Sequence, residues 1–309
     1  MNLLITGALG HIGSKLIYSL GKIKNLKKVY LIDNARSNNL NVLFNLKNSK
    51  IKIKFIYGDL LKKKTFEKIK SRIHTTIHLA SITNAAQSFE IKKEIYLNNF
   101  GIFKNIVNFC KKNNSKLIHL SSTSIYGIQS ELVDEKCSAL KPQSPYADVK
   151  LKEEIFLRKN SKKINFITLR FGTITGISNG MRFHTAVNKF CLNTILREKI
   201  PIWNNAINQY RPYLSLKDAI STIIFIINEN LYDNQIYNIL TKNYTINQIL
   251  KMIKKKNYVI RIEKTKSPIM NQNSYKVSNA KFKKFKFKFS SSIDNDIRQT
   301  LNLLKKLYN

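Results

Sequence analysis

The chain has 309 residues, 43% of them hydrophobic, which is enough for one large α/β domain and a smaller one. No apolar run approaches the roughly 18 residues of a membrane-spanning helix, and no secretory signal precedes the first strand, so we expect a cytoplasmic protein with no membrane partner. Its lysines, which produce a formal net charge of +36, are spread over the whole chain instead of forming one basic arm, so we attribute the charge to composition and expect no nucleic-acid partner.

The first 170 residues alternate short β-branched runs with helical stretches. Strands are predicted at residues 3–6, 29–32, 52–57, 76–79, 117–121 and 165–169, and helices at 12–20, 96–112 and 146–160. Strand and helix in this alternation are typical of a parallel sheet with helices on both faces. The predicted fold class is therefore α/β, with a doubly wound parallel Rossmann sheet of about seven strands in residues 1–175.

A glycine turn follows the first strand and opens the first helix. Its glycines are Gly7, Gly10 and Gly13, each three residues from the next, and not the GxGxxG spacing of many dehydrogenases. Glycine lets the backbone approach a pyrophosphate whose charge lies at the helix N-terminus. We therefore expect this turn, with His11 and Ile12, to bind a dinucleotide, although a glycine-rich turn can also be only a turn.

Acidic residues end the second and third predicted strands. Asp33 lies 20 residues after Gly13, where a carboxylate can accept hydrogen bonds from the adenosine ribose. A carboxylate there repels a 2′-phosphate, which favours NAD over NADP, although Arg36 lies nearby. Asp59, followed by Leu60, ends the third strand at the same edge of the sheet, where it can meet the adenine. Either acid can instead cap a turn.

A hydroxyl-rich turn at residues 121–127 follows the fifth strand, and Tyr146 and Lys150 lie further along the chain. A hydroxyl at the end of a central strand can bind a substrate oxygen, although serines after a strand are often plain turn formers. Tyr and Lys at positions i and i+4 share one helix face. The phenol, with an ordinary pKa near 10, is a poor base, and an ammonium one turn away is predicted to lower that pKa. Taken alone, this spacing occurs often by chance in a lysine-rich chain.

The alternation loosens beyond about residue 176. A helix is predicted at residues 185–197, strands at 200–203 and 211–216, and a helix at 217–228. We expect residues 176–309 to form mainly a smaller α/β substrate-binding domain, with residues 211–228 returning to the first domain. Residues 281–289 alternate Lys and Phe, which favours a solvated edge or helix end with buried phenylalanines over an aromatic platform for nucleic acid. Cys110, Cys137 and Cys191 have neither metal nor disulfide spacing, so no metal site is predicted.

With these motifs in order, the chain resembles the extended short-chain dehydrogenase/reductases, specifically the UDP-glucose 4-epimerase-like group of NAD-dependent nucleotide-sugar epimerases and dehydratases. The resemblance covers nearly the whole chain. It rests on the glycine turn, Asp33, residues 58–60, 78–80, 98–101 and 121–127, the Tyr146/Lys150 pair, and residues 169–171, 211–218 and 274–278.

The resemblance implies a role for each matching residue. Tyr146 corresponds to the catalytic base and acid, Lys150 to its activator, and Ser122 to the catalytic Ser or Thr. Arg211 corresponds to a residue that holds the nucleotide diphosphate, for which a guanidinium is well suited. Further implied contacts are Leu79, Ala80 and Asn98 with the cofactor, and Thr123, Asn188 and Tyr275 with the substrate.

Four positions depart from the family pattern. Thr123 and Ser124 stand where 4,6-dehydratases of the family have an Asp-Glu pair, and hydroxyls cannot replace those acids in dehydration. A 4,6-dehydratase is therefore disfavoured. Thr173 replaces a frequent Asn, and Ser215 replaces a His.

We therefore expect an NAD-dependent nucleoside-diphosphate-sugar epimerase acting at the 4-position, in a group that commonly serves polysaccharide synthesis. A homodimer is expected because the helices at 96–112 and 146–160 resemble those that pair in the family. Their outer faces are predicted to carry Ile106, Phe109, Leu151 and Ile155. The alternatives are a nucleotide-sugar reductase or dehydrogenase on the same fold, or a non-catalytic NAD-binding scaffold.

Overall fold

The computed structural model describes residues 1–46, 51–84, 87–203, 206–265 and 274–308. The strands are β1 (Asn2–Thr6), β2 (Lys28–Asp33), β3 (Lys52–Tyr57), β4 (Thr75–His78), β5 (Lys116–Ser122), β6 (Leu132–Val133), β7 (Phe166–Phe171), β8 (Thr173–Thr175), β9 (Lys199–Trp203), β10 (Tyr210–Ser215), β11 (Ile236–Ile239), β12 (Lys242–Thr245), β13 (Arg261–Thr265) and β14 (Lys276–Val277). The α-helices are α1 (His11–Ile17), α2 (Lys63–Glu67), α3 (Lys92–Ile95), α4 (Gly101–Asn113), α5 (Pro145–Lys159), α6 (Ala186–Ile195), α7 (Leu216–Asn228), α8 (Ile246–Lys254), α9 (Ala280–Lys283) and α10 (Ile293–Tyr308), and a π-helical turn, Tyr96–Phe100, joins α3 to α4.

Seven strands form the central sheet, in the order β11-β7-β5-β4-β1-β2-β3. Every neighbouring pair in this sheet is parallel. The chain winds outward from β1 in one direction through β2 and β3, and in the other through β4, β5, β7 and β11. The order therefore reverses beside β1, and in sheets of this kind ligands bind outside the carboxyl ends of the strands at such a reversal.

The two faces of the sheet are covered by different helices because side chains alternate along each strand. Leu3 and Ile5 belong to a buried cluster that includes the apolar faces of α1 and α7. Leu4, between them, belongs to a second cluster with residues of α4 and α5. A sheet buried on both faces requires strands that are apolar throughout, as β1 and β2 are. The doubly wound parallel α/β fold is thus confirmed.

A smaller set of elements from the C-terminal half packs around a third buried cluster, with α6, α8 and α10 contributing most of its residues. Its sheets are small: β12-β10-β8, β13-β9 and β14-β6. The division of the chain near residue 175 stays a prediction, with two observations that bear on it. Of the segment 211–228, helix α7 packs on the central sheet, as expected, whereas β10 pairs with β8 and β12 in a small sheet. The seventh strand of the central sheet is β11, which comes from beyond the first 175 residues.

Two of the side chains predicted on the outer faces of α4 and α5 lie elsewhere. Ile106 and Phe109 are 0% and 8% exposed within the single chain, because the apolar stripe of α4 packs on the sheet. That part of the prediction is wrong. Leu151 is half-buried, and Ile155 is 39% exposed.

No helix in the described part of the chain is both long and apolar enough to cross a membrane. Across the same residues, no cluster of three or more His, Cys, Asp or Glu side chains is arranged to hold a metal ion.

Candidate active site

The glycine turn between β1 and α1 leaves no room for side chains. Gly7 has a φ of +68°, and a Cβ there would lie 2.5 Å from the backbone nitrogen of Ala80, at the end of β4. A Cβ on Gly13 would lie 2.3 Å from the carbonyl oxygen of Gly7. Glycine is therefore required at both positions, at Gly7 by its left-handed φ and its contacts and at Gly13 by its contacts alone. The turn forms the backbone cradle that a dinucleotide pyrophosphate needs at the N-terminus of a helix.

Asp33 connects the end of β2 to this turn. One carboxylate oxygen accepts a hydrogen bond from the backbone nitrogen of Leu9 at 3.0 Å, and the other accepts from Ala35 at 2.8 Å. Asp33 thus caps a turn and also lies beside the glycine cradle. Arg36, which could have favoured a 2′-phosphate, pairs with Glu94 on the surface at 2.7 Å.

Asp59 and Leu60 lie at the end of β3. The Asp59 carboxylate accepts from the backbone nitrogen of Leu61 at 2.9 Å, as a turn cap does. Leu60 is buried in the cluster beneath α4.

The loop after β4 is held by Asn99, which sequence reasoning missed. Its side chain accepts from the Ile82 nitrogen at 2.9 Å and donates to the Ile82 carbonyl at 3.0 Å. The predicted residue, Asn98, donates its side-chain amide to Asn99 at 3.0 Å. Asn99 therefore fixes the backbone beside Ser81 and Thr83, which face the cavity described next.

A cavity of about 540 Å³ lies over the carboxyl ends of the central strands, between the sheet and the C-terminal elements, within the usual size range of ligand sites. It brings together twelve of the predicted residues: Gly7, Gly10, His11, Ile12, Gly13, Leu79, Ser122, Thr123, Tyr146, Lys150, Arg211 and Tyr275. Six others do not line it: Asp33, Asp59, Leu60, Ala80, Asn98 and Asn188.

Tyr146 and Lys150 enter this cavity from the first turns of α5. The helix begins with Pro145 after Ser144, whose hydroxyl accepts from the Ala147 nitrogen at 3.2 Å. Lys150 Nζ lies 5.9 Å from the centre of the Tyr146 ring.

The predicted downward shift of the Tyr146 pKa is not the net result. Burial raises the pKa of Tyr146 and outweighs Lys150, which lowers it. The negative charge of Glu153 also raises this pKa, and Arg182 lowers it. Lys150 thus acts in the predicted direction, and the net shift is upward because the phenol is buried, with a smaller contribution from Glu153.

The hydroxyl-rich turn after β5 gives its two candidates different surroundings. The hydroxyls of Ser122 and Ser124 are 2.8 Å apart, and Ser122 Oγ also accepts from the Ser124 nitrogen. Thr123, which is buried, donates its hydroxyl to the Phe171 carbonyl at 3.3 Å. Both Ser122 and Thr123 line the cavity, but no carboxylate follows them.

Unsatisfied donors lie at the end of the cavity formed by β9 and β10. The Arg211 guanidinium lies 5.8 Å from the Trp203 ring, and its Nε and Nη2 are buried with no hydrogen-bond partner among the described residues. The Tyr213 hydroxyl is likewise unpaired there, and burial raises its pKa to about 12. Buried unpaired donors are costly unless a ligand satisfies them, and a guanidinium matches the oxygens of a diphosphate.

Arg182 is a site residue that the sequence did not reveal. Its guanidinium bonds the Thr83 hydroxyl, and its Nη2 lies 3.3 Å from where a Cβ on Gly10 would be. Burial followed by the charge of Arg182 lowers the pKa of His11 to about 3. Asn188 supports this arrangement by donating to the Arg182 carbonyl at 3.0 Å. A cation therefore lies over the glycine turn, where an anionic ligand is expected.

Residues 3–239 match the model of the NAD-dependent epimerase/dehydratase family. A putative UDP-glucose 4-epimerase of Methanocaldococcus jannaschii is 26% identical over 260 residues, which are 82% of this chain and 81% of that protein. A dTDP-D-glucose 4,6-dehydratase of Dictyostelium discoideum is 28% identical over 256 residues, 77% of this chain and 57% of that protein.

The fold is also similar to a solved structure of UDP-glucuronic acid 4-epimerase from Bacillus cereus in complex with UDP-glucuronic acid and NAD. The TM-score is 0.89 at 23% identity, with 100% of both chains covered. At this identity the likeness shows the fold.

Proposed function

The chain belongs to the NAD-dependent epimerase/dehydratase family, and on that premise we propose that it interconverts nucleoside-diphosphate sugars that differ in configuration at C4. The observation that carries the proposal is the cavity itself. It contains a hydroxyl, a phenol and an ammonium in Ser122, Tyr146 and Lys150, between the glycine cradle at one end and Arg211 at the other.

The cofactor of the family is NAD, and the cavity fits it. The glycine turn leaves only backbone where the pyrophosphate would lie, and Asp33 lies beside that turn at the end of β2. When bound there, NAD supplies the acceptor and donor of a hydride. The residues that we propose hold it are those of the glycine turn, Asp33, Leu79, Tyr146 and Lys150.

The protein's own groups perform the proton transfer. Tyr146, as the phenolate, takes the proton of the sugar C4 hydroxyl, and Lys150 stabilises the phenolate charge. Ser122 donates a hydrogen bond to the same sugar oxygen and shares its developing charge. Arg211 holds the diphosphate while the flat 4-keto sugar rotates and presents its other face. Tyr146 then returns its proton to the oxygen, so no net proton or reductant is consumed.

Epimerisation is favoured over dehydration by the residues after Ser122. Removal of water from the sugar needs an acid and a base near C5 and C6, and Thr123 and Ser124 supply only hydroxyls. Thr123 is moreover engaged with the Phe171 carbonyl. The similarity to a 4,6-dehydratase therefore reflects a shared family, and the reaction that we propose is epimerisation.

The proposal is tested by denaturing the purified protein, identifying the released cofactor by mass spectrometry, and incubating the native protein with single nucleotide sugars. We expect the released cofactor to be NAD. We also expect the native protein to convert a single nucleotide sugar into a mixture of C4 epimers without added cofactor. Stoichiometric consumption of NAD or NADH would indicate a net dehydrogenase or reductase instead. Bound NAD with no sugar transformed would indicate a non-catalytic scaffold.

A further inference from the structure

Lys150 is not a free ammonium beneath Tyr146. Its Nζ donates to Oε2 of Glu153 at 2.8 Å, and His119 Nε2 lies 3.0 Å from the same oxygen. All three side chains are buried. A buried ammonium needs a counter-ion because taking charge out of water costs several kcal/mol. The site therefore contains a buried cation-anion pair where the sequence motif shows only a lysine.

The position of Glu153 is fixed from two elements. It lies three residues after Lys150 on α5, so both side chains face β5. From β5, His119 bonds Glu153 with one ring nitrogen, and its other nitrogen lies 3.2 Å from the Thr168 hydroxyl on β7. The hydroxyl of Thr168 thus orients the ring, and the ring orients the carboxylate.

From this geometry we propose that Glu153, held by His119, is a positioning residue. It fixes the Lys150 ammonium beneath Tyr146 and weakens the positive field that the ammonium exerts on the phenol. This inference rests on the roles proposed above for Tyr146 and Lys150. Glu153 does not line the cavity, so it acts through Lys150.

The charged groups around the phenol agree with this role. Burial is the largest influence on the pKa of Tyr146 and raises it. Among the charged groups, Lys150 lowers this pKa, Glu153 raises it, and Arg182 lowers it from the segment between β8 and α6. Glu154 also faces Lys150 but is paired with Arg170.

Two imidazoles face the Lys150-Glu153 pair from the sheet, His119 on β5 and His78 on β4. Burial, with a contribution from Lys150, lowers the pKa of His78 to about 3, so this ring is neutral. The Glu153 carboxylate thus supplies the negative charge next to the ammonium.

The decisive variant is Glu153→Gln, which keeps the shape of the side chain and removes its charge. In the NAD-loaded protein, ionisation of Tyr146 is followed by ultraviolet difference absorbance, with Tyr146→Phe subtracted. We expect the ionisation, and with it the acidic limb of the turnover profile, to move to lower pH by about one unit, because a neighbouring charge shifts a pKa by about that much or more. We also expect turnover at the optimum to fall about tenfold, since small displacements of a catalytic group are costly.

Asp148→Asn is the matched control. It removes the same charge from the same helix, but Asp148 is exposed and pairs with exposed Lys152. We expect the ionisation of Tyr146 and the turnover in this variant to equal those of the wild type. An unchanged titration in folded Glu153→Gln, or an equal shift in Asp148→Asn, would overturn the inference.

Should Glu153→Gln fail to fold, Glu153→Asp decides. It keeps the charge and withdraws it by one methylene, so we expect slower turnover with an unmoved titration, whereas wild-type turnover would overturn the positioning role. The titration needs no sugar substrate. A wild type that epimerises nothing would therefore refute the proposed function, while the titration would still test Glu153.

Discussion

The proposed chemistry depends on the phenol of Tyr146. Replacing Tyr146 with Phe keeps the ring in the cavity and removes the oxygen that transfers the proton. We expect turnover to fall about 10²–10⁴-fold, the usual contribution of a general acid or base, while NAD stays bound. The measurement is single-turnover kinetics together with cofactor retention on gel filtration. Normal turnover with every accepted sugar would show that another group transfers the proton.

Ser122 and Thr123 are neighbours in the same cavity, and their hydroxyls have different partners. Ser122→Ala should reduce turnover by about 10²-fold, since a donor to the developing oxyanion contributes about that much. Thr123→Ala should reduce it only a few-fold because the Thr123 hydroxyl is donated to a backbone carbonyl. The kcat of both variants with the best nucleotide sugar gives the comparison. Equal losses would refute the assignment of Ser122 and favour a shared role.

The sequence predicted those site residues that belong to local patterns. Gly7 and Gly13, and Tyr146 with Lys150, are identified by spacing within one turn or one helix. Arg182 was missed because its role arises from a contact between distant segments, with Thr83. Glu153 stands three residues after Lys150, a spacing visible in the sequence, but its burial against His119 of β5 is a contact between distant segments. No local spacing encodes such contacts.

Arg170 acts at the scale of elements, as a connection between β7, α5 and the turn after β5. Its guanidinium makes two hydrogen bonds to Glu154, at 3.0 and 2.7 Å, and one to the Tyr126 hydroxyl at 2.8 Å. Arg170→Met leaves the buried Glu154 carboxylate without its counter-ion and with only the Ser121 hydroxyl donating to it, so we expect a loss of about 3–5 kcal/mol in the free energy of unfolding. Urea denaturation measures this loss.

The comparison variant is Arg36→Met, which breaks the exposed pair with Glu94. Exposed pairs contribute less than about 1 kcal/mol, so this variant should unfold close to the wild type. Equal stability of both variants would mean that the Arg170 network does not hold the elements together.

Asp296, at the start of α10, makes stability depend on pH. Burial raises its pKa to about 6, although Thr175 and Ser215 donate hydrogen bonds to it. The folded state therefore binds the proton more tightly than the unfolded state, whose Asp has a pKa near 3.9. The contribution of Asp296 to the free energy of unfolding is fully present at pH below about 4 and is lost as pH rises through about 6.

Asp296→Asn should remove this dependence, because the amide does not titrate. Relative to the wild type, the variant should gain about 2 kcal/mol in unfolding free energy between pH 4 and pH 7, since each pKa unit corresponds to about 1.4 kcal/mol and the unfolded-state carboxyl is already about half ionised at pH 4. Asp294→Asn, an exposed neighbour on the same helix, should show no such gain. Parallel pH profiles for the wild type and Asp296→Asn would contradict the prediction.

The predicted elements of the first 171 residues agree with the structure to within a few residues, because apolar runs and intervening helices follow simple periods. Strand β11 was not predicted. It is a run of four residues, Ile236–Ile239, and its register with β7 becomes visible only once the sheet exists. Helix α8 was also missed, although Thr245 and Gln248 form a capping box at its start, a signal present in the sequence.

At the scale of the whole molecule, the alternating Lys and Phe of residues 281–289 contribute to packing. Phe282 is fully buried, and its ring contacts Phe225 of α7 and Tyr237 of β11. Phe285, Phe287 and Phe289 pack against the same cluster. The phenylalanines are therefore buried or partly buried, as the sequence predicted, and they pack in the cluster on one face of the central sheet.

A homodimer is the remaining prediction, and the structure changes the residues that support it. With Ile106 and Phe109 buried, the apolar side chains left on the surface near α5 are Ile155, Tyr96 and Leu97, the last 57% exposed. The turn that holds Tyr96 and Leu97 packs beside α5, so the three side chains lie in one region. Adjacent exposed apolar side chains indicate an interaction surface.

Light scattering at micromolar concentration should therefore give twice the chain mass of 35.9 kDa. Leu97→Asp and Ile155→Asp should shift the protein toward the monomer, because a charge placed in an apolar interface must lose its water. Val259→Asp is the control, since Val259 is 82% exposed and lies in the loop before β13, which pairs with β9. A wild type that is monomeric at this concentration would refute the dimer, and a dimer that both α5-side variants leave intact would place its interface elsewhere.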